Sequence, residues 1–156
     1  MEKNEATNEI LNDLLKINND RIEGYEKAIS EAKSMDIDIK AMFEEMVKQS
    51  ADYKNELVSE IEKNDGIVED ETTASGKIYR AWMDIKATME DSDRHSIIAS
   101  CEFGEDAAQR AYDAALSSQA ITDPAILELI NQQQAGLKKS HEMIKIQRDA
   151  HEALLK

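Results

Sequence analysis

The sequence predicts an all-α protein: four long helices, with a short fifth helix in the connection between the second and third. Three observations predict it. Apolar residues recur at i, i+3, i+4 and i+7 through almost the whole chain, the period of an amphipathic helix. The 156 residues include one Pro and five Gly, too few to turn the many short strands of an all-β domain. The strong stop and start signals fall at only a few widely spaced places, which leaves long elements between them.

The first helix is expected over about 4–33. Leu11, Leu14, Leu15, Ile22, Tyr25, Ala28, Ile29 and Ala32 make its apolar stripe, and Asn18 is set inside it. Asp36 is the expected N-cap of a second helix over 36–64, with Ile39, Met42, Phe43, Met46, Tyr53, Leu57 and Ile61 on one side. Asn64-Asp65-Gly66 ends it. An acidic, irregular stretch follows. A short helix is then expected over about 75–89, carrying Ile78, Tyr79, Trp82, Ile85 and Met89, which would bury its apolar side on the bundle. Asp91-Ser92-Asp93 breaks that helix and caps the next. The third long helix, over 93–118, carries Ile97, Ile98, Cys101, Ala108, Tyr112 and Ala115. Asp123-Pro124 restarts the chain with an acidic N-cap and Pro at the first helical position. The last helix, over 123–155, carries Ile126, Ile130, Leu137, His141, Ile144 and Leu154.

Two of the joints are short, which makes antiparallel hairpins of the first two and last two long helices. The middle connection, from Asp65 to Ser92, is long enough to travel back along the bundle. The order is therefore up, down, crossover, down, up in a single domain over 1–156, which is the ferritin-like topology.

Composition narrows the partners. With 33 acidic against 19 basic side chains the chain carries a net charge of -14, and such a surface repels nucleic-acid phosphate and anionic lipid. Neither nucleic acid nor a membrane is expected as a partner; a protein partner or a second copy of the chain is. The opening residues are too polar for a signal-peptide core, no run approaches the roughly 20 apolar residues of a membrane span, and Cys101 is the single cysteine. These features fit a cytoplasmic setting, with Cys101 as a small buried residue.

Ferritin-like metal proteins aim six ligands at mid-bundle: one Glu from each of two helices, and Glu-x-x-His from each of the others. At the same level this sequence offers Asn18, Ser50 with Tyr53, Glu105, and Lys138 with His141. Only Glu105 and His141 match. Two iron or manganese ions need about four carboxylates, so no cofactor is expected. The candidate ligands for a degenerate metal site are Glu102, Glu105 and His141. The favoured reading is a hydrogen-bonded polar layer made by Asn18, Tyr25, Tyr53, Glu105, Tyr112 and His141. No catalytic residues stand out: there is no phosphate loop, nucleophile elbow or CxxC.

Several strings together resemble a known family. They are Leu-Asn-Asp-Leu-Leu-Lys-Ile-Asn-Asn-Asp (11–20) with Gly24-Tyr25-Glu26, then Gly76-Lys77-Ile78-Tyr79-Arg80-Ala81-Trp82, then Cys101-Glu102-Phe103-Gly104-Glu105-Asp106-Ala107-Ala108 with Tyr112. In this order they resemble the bacterial family called domain of unknown function 2383, ferritin-like four-helix bundles. The resemblance implies that fold and a bacterial cytoplasmic setting, and it implies no activity. The expected function is that of a non-enzymatic helical bundle, stress-related or an interaction module. The alternative is an iron- or manganese-handling protein with a degenerate centre.

Overall fold

The computed structural model describes residues 2–32, 37–72 and 94–155. Four helices account for most of them: α1 (Glu2–Glu31), α2 (Ile37–Lys63), α3 (Arg94–Ser117) and α4 (Pro124–Leu155), with no strand among the described residues. The short helix expected over 75–89 with Trp82, and the caps expected at Asp36 and at 91–93, lie outside the described residues.

Cross-helix hydrogen bonds give the direction of every helix. Asn18 and Arg21 on α1 meet Ser50 on α2, while Asn8 lies against Asn64, so these two helices are antiparallel. Asn18 meets Tyr112 and Tyr25 meets Glu105, so α1 and α3 are antiparallel too. On α4, Gln134 pairs with Asp113 and His141 with Asp106, which sets α4 antiparallel to α3. The order is up, down, down, up. In that order the end of α2 and the start of α3 lie at opposite ends of the bundle. Residues 64–71 run beside α1 from Asn8 to Asn19, a climb of roughly 16 Å at helical rise. The protein is a ferritin-like four-helix bundle.

The caps are local. Asp123 Oδ1 accepts from the Ala125 N–H at 2.9 Å, and Pro124 follows at the one position where its missing N–H costs nothing. At the other end of α2, Gly66 N–H reaches the Ile61 carbonyl at 2.8 Å and Asp65 N–H the Glu62 carbonyl at 3.0 Å. This paired bonding satisfies two orphan carbonyls and needs a left-handed residue. Asp65 supplies it, with φ of 56°. Gly66 is needed for a different reason: a Cβ there would lie 2.5 Å from Asn8 Nδ2 and 2.9 Å from Ile61 Cγ2.

Leu11, Leu14 and Leu15 from α1, Phe43, Leu57 and Ile61 from α2, Ile98 and Ala108 from α3, and Ile130, Leu137 and Ile144 from α4 are buried in one core. Each large aliphatic or aromatic side chain so buried contributes about 1.5–3 kcal/mol relative to exposure. α1 packs extensively on α2 and α3 on α4, whereas α2 and α4 approach closely at few points. One such point is Gly136, where a Cβ would fall 1.8 Å from Tyr53 Oη and 3.1 Å from Tyr53 Cζ. Ala is a better helix former than Gly by about 1 kcal/mol, yet Gly136→Ala is expected to destabilise the protein by about 1–3 kcal/mol through overpacking. Adding Tyr53→Phe removes the clashing oxygen, so the double variant should melt above Gly136→Ala alone. If the two substitutions simply add, the close approach is not what Gly136 provides.

Candidate functional site

Halfway along the bundle the core turns polar. The centre is an ion pair between Arg21 of α1 and Glu105 of α3, Nε to Oε1 at 2.5 Å, with side chains 1% and 0% exposed. Tyr25, one turn along α1, donates to the same Oε1 at 2.7 Å. The Arg21 guanidinium also lies 5.2 Å from the centroid of the Tyr25 ring, which packs on Phe43. Burial works against the Arg21 charge, and Glu105, Tyr25 and Tyr112 outweigh it, so its pKa is raised and the cation is retained.

A chain of hydrogen bonds leaves this pair and visits all four helices. Arg21 Nη1 donates to Ser50 Oγ at 2.7 Å, and Ser50 donates to Asn18 Oδ1 at 2.9 Å. Asn18 Nδ2 donates to Tyr112 Oη at 2.8 Å, and Tyr112 donates to Gln133 Oε1 at 2.6 Å. Gln133 Nε2 then donates to the Tyr53 carbonyl and to Glu56 Oε1, each at 3.2 Å. Every donor points the same way, from a buried cation to a carboxylate on an exposed residue, so the bonds polarise one another. The two amides and the guanidinium in this chain interrupt any proton relay. It ties the four helices together.

The layer expected from the sequence is placed as follows. Asn18, Tyr25, Glu105 and Tyr112 are buried and bonded within it. Tyr53 contributes only its carbonyl; its hydroxyl lies over Gly136, beside Gln49. His141 stands at the outer α3–α4 seam, 24% exposed, with Nε2 at 2.6 Å from Asp106 Oδ1. The three candidate metal ligands do not converge. Glu105 faces Arg21, Glu102 pairs with Arg148, and His141 pairs with Asp106. Lys138 is exposed on the outer face of α4.

Sequence reasoning missed Arg21 and Gln133. Both signals were present. Arg21 is seven residues from Leu14 and four from Tyr25, so it sits on the apolar stripe of α1, and Gln133 sits on that of α4 between Ile130 and Leu137.

Cys101 is fully buried next to this layer, and burial, reinforced by the Glu105 charge, pushes its thiol well above the usual range. Burial does the same to Tyr25, again with Glu105 adding to it, and to Tyr112. These groups stay protonated and are poor nucleophiles.

A di-iron or di-manganese centre does not fit the layer. Among the described residues the one buried carboxylate bonded in the layer, Glu105, already neutralises a guanidinium, and of its two oxygens Oε2 alone makes no hydrogen bond among those residues. A cation there would face Arg21 at close range with one free oxygen, where two such ions require about four carboxylates. No group of three or more His, Cys, Asp or Glu suited to a metal ion occurs among the described residues.

Fold and layer together define a ferritin-like bundle with a salt-bridged polar centre. Residues 6–119 match the family described as "Domain of unknown function (DUF2383)", and the chain belongs to that family. It is similar in structure to a mutant of Dps1 from Mycobacterium smegmatis, with a TM-score of 0.80, 15% identity, and coverage of 94% of this chain and 97% of that one. At that identity the likeness concerns the fold. No protein of curated function matches this sequence. No described helix is long and apolar enough to cross a membrane.

Proposed function

We propose that this protein is a non-enzymatic helical bundle, stress-related or an interaction module that acts through its outer surface, with a central layer that serves structure alone. The observation that carries the reading is the Arg21–Glu105 pair, which puts a fixed cation where a binuclear centre would need ligands. Raised pKa values at Cys101, Tyr25 and Tyr112 support it, because each keeps a candidate nucleophile or ligand protonated. A buried ion pair contributes little net stability, since desolvation offsets attraction; what it penalises is every alternative alignment that separates the two charges. On this reading the layer sets the register of the α1–α2 hairpin on the α3–α4 hairpin. The partner is another protein or a second copy of the chain in the cytoplasm, with nucleic acid and membranes disfavoured by the net charge of -14.

Elemental analysis of protein purified without chelator tests this directly. Iron and manganese are expected far below one per chain, and ferrous iron is expected to oxidise no faster than in buffer. Stoichiometric metal that disappears in Glu105→Ala would establish the metal-handling alternative instead.

A further inference from the structure

The start of the crossover is held in an unusual way. Residues 67–69 lie extended in the groove between α1 and α2, and Asn12, itself 4% exposed, bonds their backbone with both ends of its amide; the chain then turns tightly at Asp70, where the Glu71 N–H donates to the Glu69 carbonyl at 2.9 Å. Its Nδ2 donates to the Ile67 carbonyl and its Oδ1 accepts from the Glu69 N–H, both at 2.9 Å. A side-chain amide bonding the C=O of one residue and the N–H of the residue two further on reads an extended strand without regard to its side chains, as a neighbouring β-strand would. Charges read the rest. Lys16 Nζ lies 2.7 Å from Glu69 and 3.6 Å from Glu71, and Lys54 Nζ lies 2.8 Å from Asp70. Asn19 Nδ2 donates to Asp70 Oδ1 at 2.9 Å and to the Glu71 carbonyl at 3.0 Å.

Apolar burial contributes little here. Ile67 is 82% exposed, and Val68 packs against the core only in part. The groove also carries both signs of charge. Glu5, Glu9 and Asp13 line it along α1 beside Gly66 and Ile67, Asp13 reaching as far as Lys16 and Glu69, while the two lysines pair with the acidic residues of the strand. The strand it holds matches, uncharged over Gly66-Ile67-Val68 and acidic over Glu69-Asp70-Glu71. The lowered pKa of Asp70, from its bonds to Lys54 and Asn19, and the raised pKa of Lys16, from its bond to Glu69, agree with this pairing.

We propose that the α1–α2 groove is a binding site for an extended acidic peptide strand of another chain, plugged in cis by residues 67–71. The site reads a short uncharged lead followed by consecutive carboxylates. A tethered strand competes at an effective concentration of order millimolar, so the groove is closed to dilute peptide until its own strand is released. The inference does not depend on the central layer, and a metal found at Glu105 would leave it intact.

The test uses full-length chain carrying Glu69→Lys, Asp70→Lys and Glu71→Lys, whose own strand no longer fits, and a fluorescently labelled synthetic peptide of sequence Gly-Ile-Val-Glu-Asp-Glu-Thr. Fluorescence anisotropy should show the peptide binding this variant at least about tenfold more tightly than the unaltered chain, as the tethered competitor predicts. Binding should weaken in high salt and disappear when Asn12→Ala or Lys54→Glu is added. No binding to the strand-reversed chain, or binding indifferent to Asn12→Ala, overturns the proposal. Should that variant fail to fold, hydrogen exchange on the unaltered protein decides the matter. The Glu69 amide should be protected at low salt and released at high salt while helix amides stay protected. Exchange of that amide at the unprotected rate in low salt refutes the docked strand.

Discussion

Replacing Arg21 with Met is expected to cost about 3–5 kcal/mol, because it strands the Glu105 carboxylate in the core without its cation. For a chain of this size that is a fall in Tm of about 6–20 °C. Glu105 is fully buried, and among the described residues its Oε2 makes no hydrogen bond and the Tyr25 hydroxyl would be the one donor remaining on Oε1 after the substitution. The second half of the experiment separates a lost interaction from an uncompensated charge. Arg21→Met combined with Glu105→Leu removes both charges and should recover most of the loss, as apolar replacement of buried ion pairs commonly does. The residual cost is the lost hydrogen bond from the Tyr25 hydroxyl to Glu105, about 1–3 kcal/mol. Differential scanning calorimetry on the two variants reads both numbers. A single variant that melts alongside the unaltered protein would mean that the pair is not closed in the core.

The other large effect is alkaline unfolding. Cys101, Tyr25 and Tyr112 all have raised pKa values in the folded protein, in each case chiefly from burial. An acid whose folded pKa lies above its unfolded one contributes stability that is complete below the unfolded value and is lost as pH rises toward the folded one. The window therefore opens near pH 8.5 for the thiol and near pH 10 for the phenols, the values of the unfolded chain. Above each threshold stability falls by about 1.4 kcal/mol per pH unit per group. The three groups act in the same direction, so the losses accumulate through the alkaline range against the small net stability of an ordinary domain. Urea melts at pH 8, 9.5 and 11 measure this. Cys101→Ala and Tyr112→Phe should each flatten the alkaline limb by about 1.4 kcal/mol per pH unit, whatever they do to stability at neutral pH. A limb of unchanged slope in Cys101→Ala would show that the thiol already titrates freely in the folded state.

The two experiments probe one layer from opposite sides. Removing Arg21 adds an unpaired charge by mutation; raising the pH adds charges by deprotonation. Both are costly because the layer is buried, and a charge added or stranded there lacks solvent to stabilise it.

Much of the α1 side of this layer was legible in the sequence. Asn18 and Tyr25 are polar groups on an apolar stripe, and a stripe position faces the core in any bundle the helix joins. Arg21 stands on the same stripe and is readable by the same rule, although a charge in that place is costly unless a partner meets it. Glu105 was readable for its spacing from Cys101, Ala108 and Tyr112. The fate of His141 was not. Glu105 and Asp106 differ by one residue, which is about 100° around the helix. That rotation sends Glu105 to Arg21 in the core and Asp106 to His141 on the outer seam. Periodicity locates a stripe to about the width of one side chain, and a polar residue at its edge falls inside or outside according to how the facing helix is rotated.

By itself the sequence determined the helices, the hairpins and the ferritin-like order of their directions. These follow from periodicity, caps and connection lengths, which are all local along the chain. Only the tertiary structure decided that the central carboxylate pairs with an arginine 84 residues away rather than with a histidine, and that Asn12 clasps a strand from the crossover. Such pairings depend on axial register and rotation between helices, and those are set by packing many side chains at once.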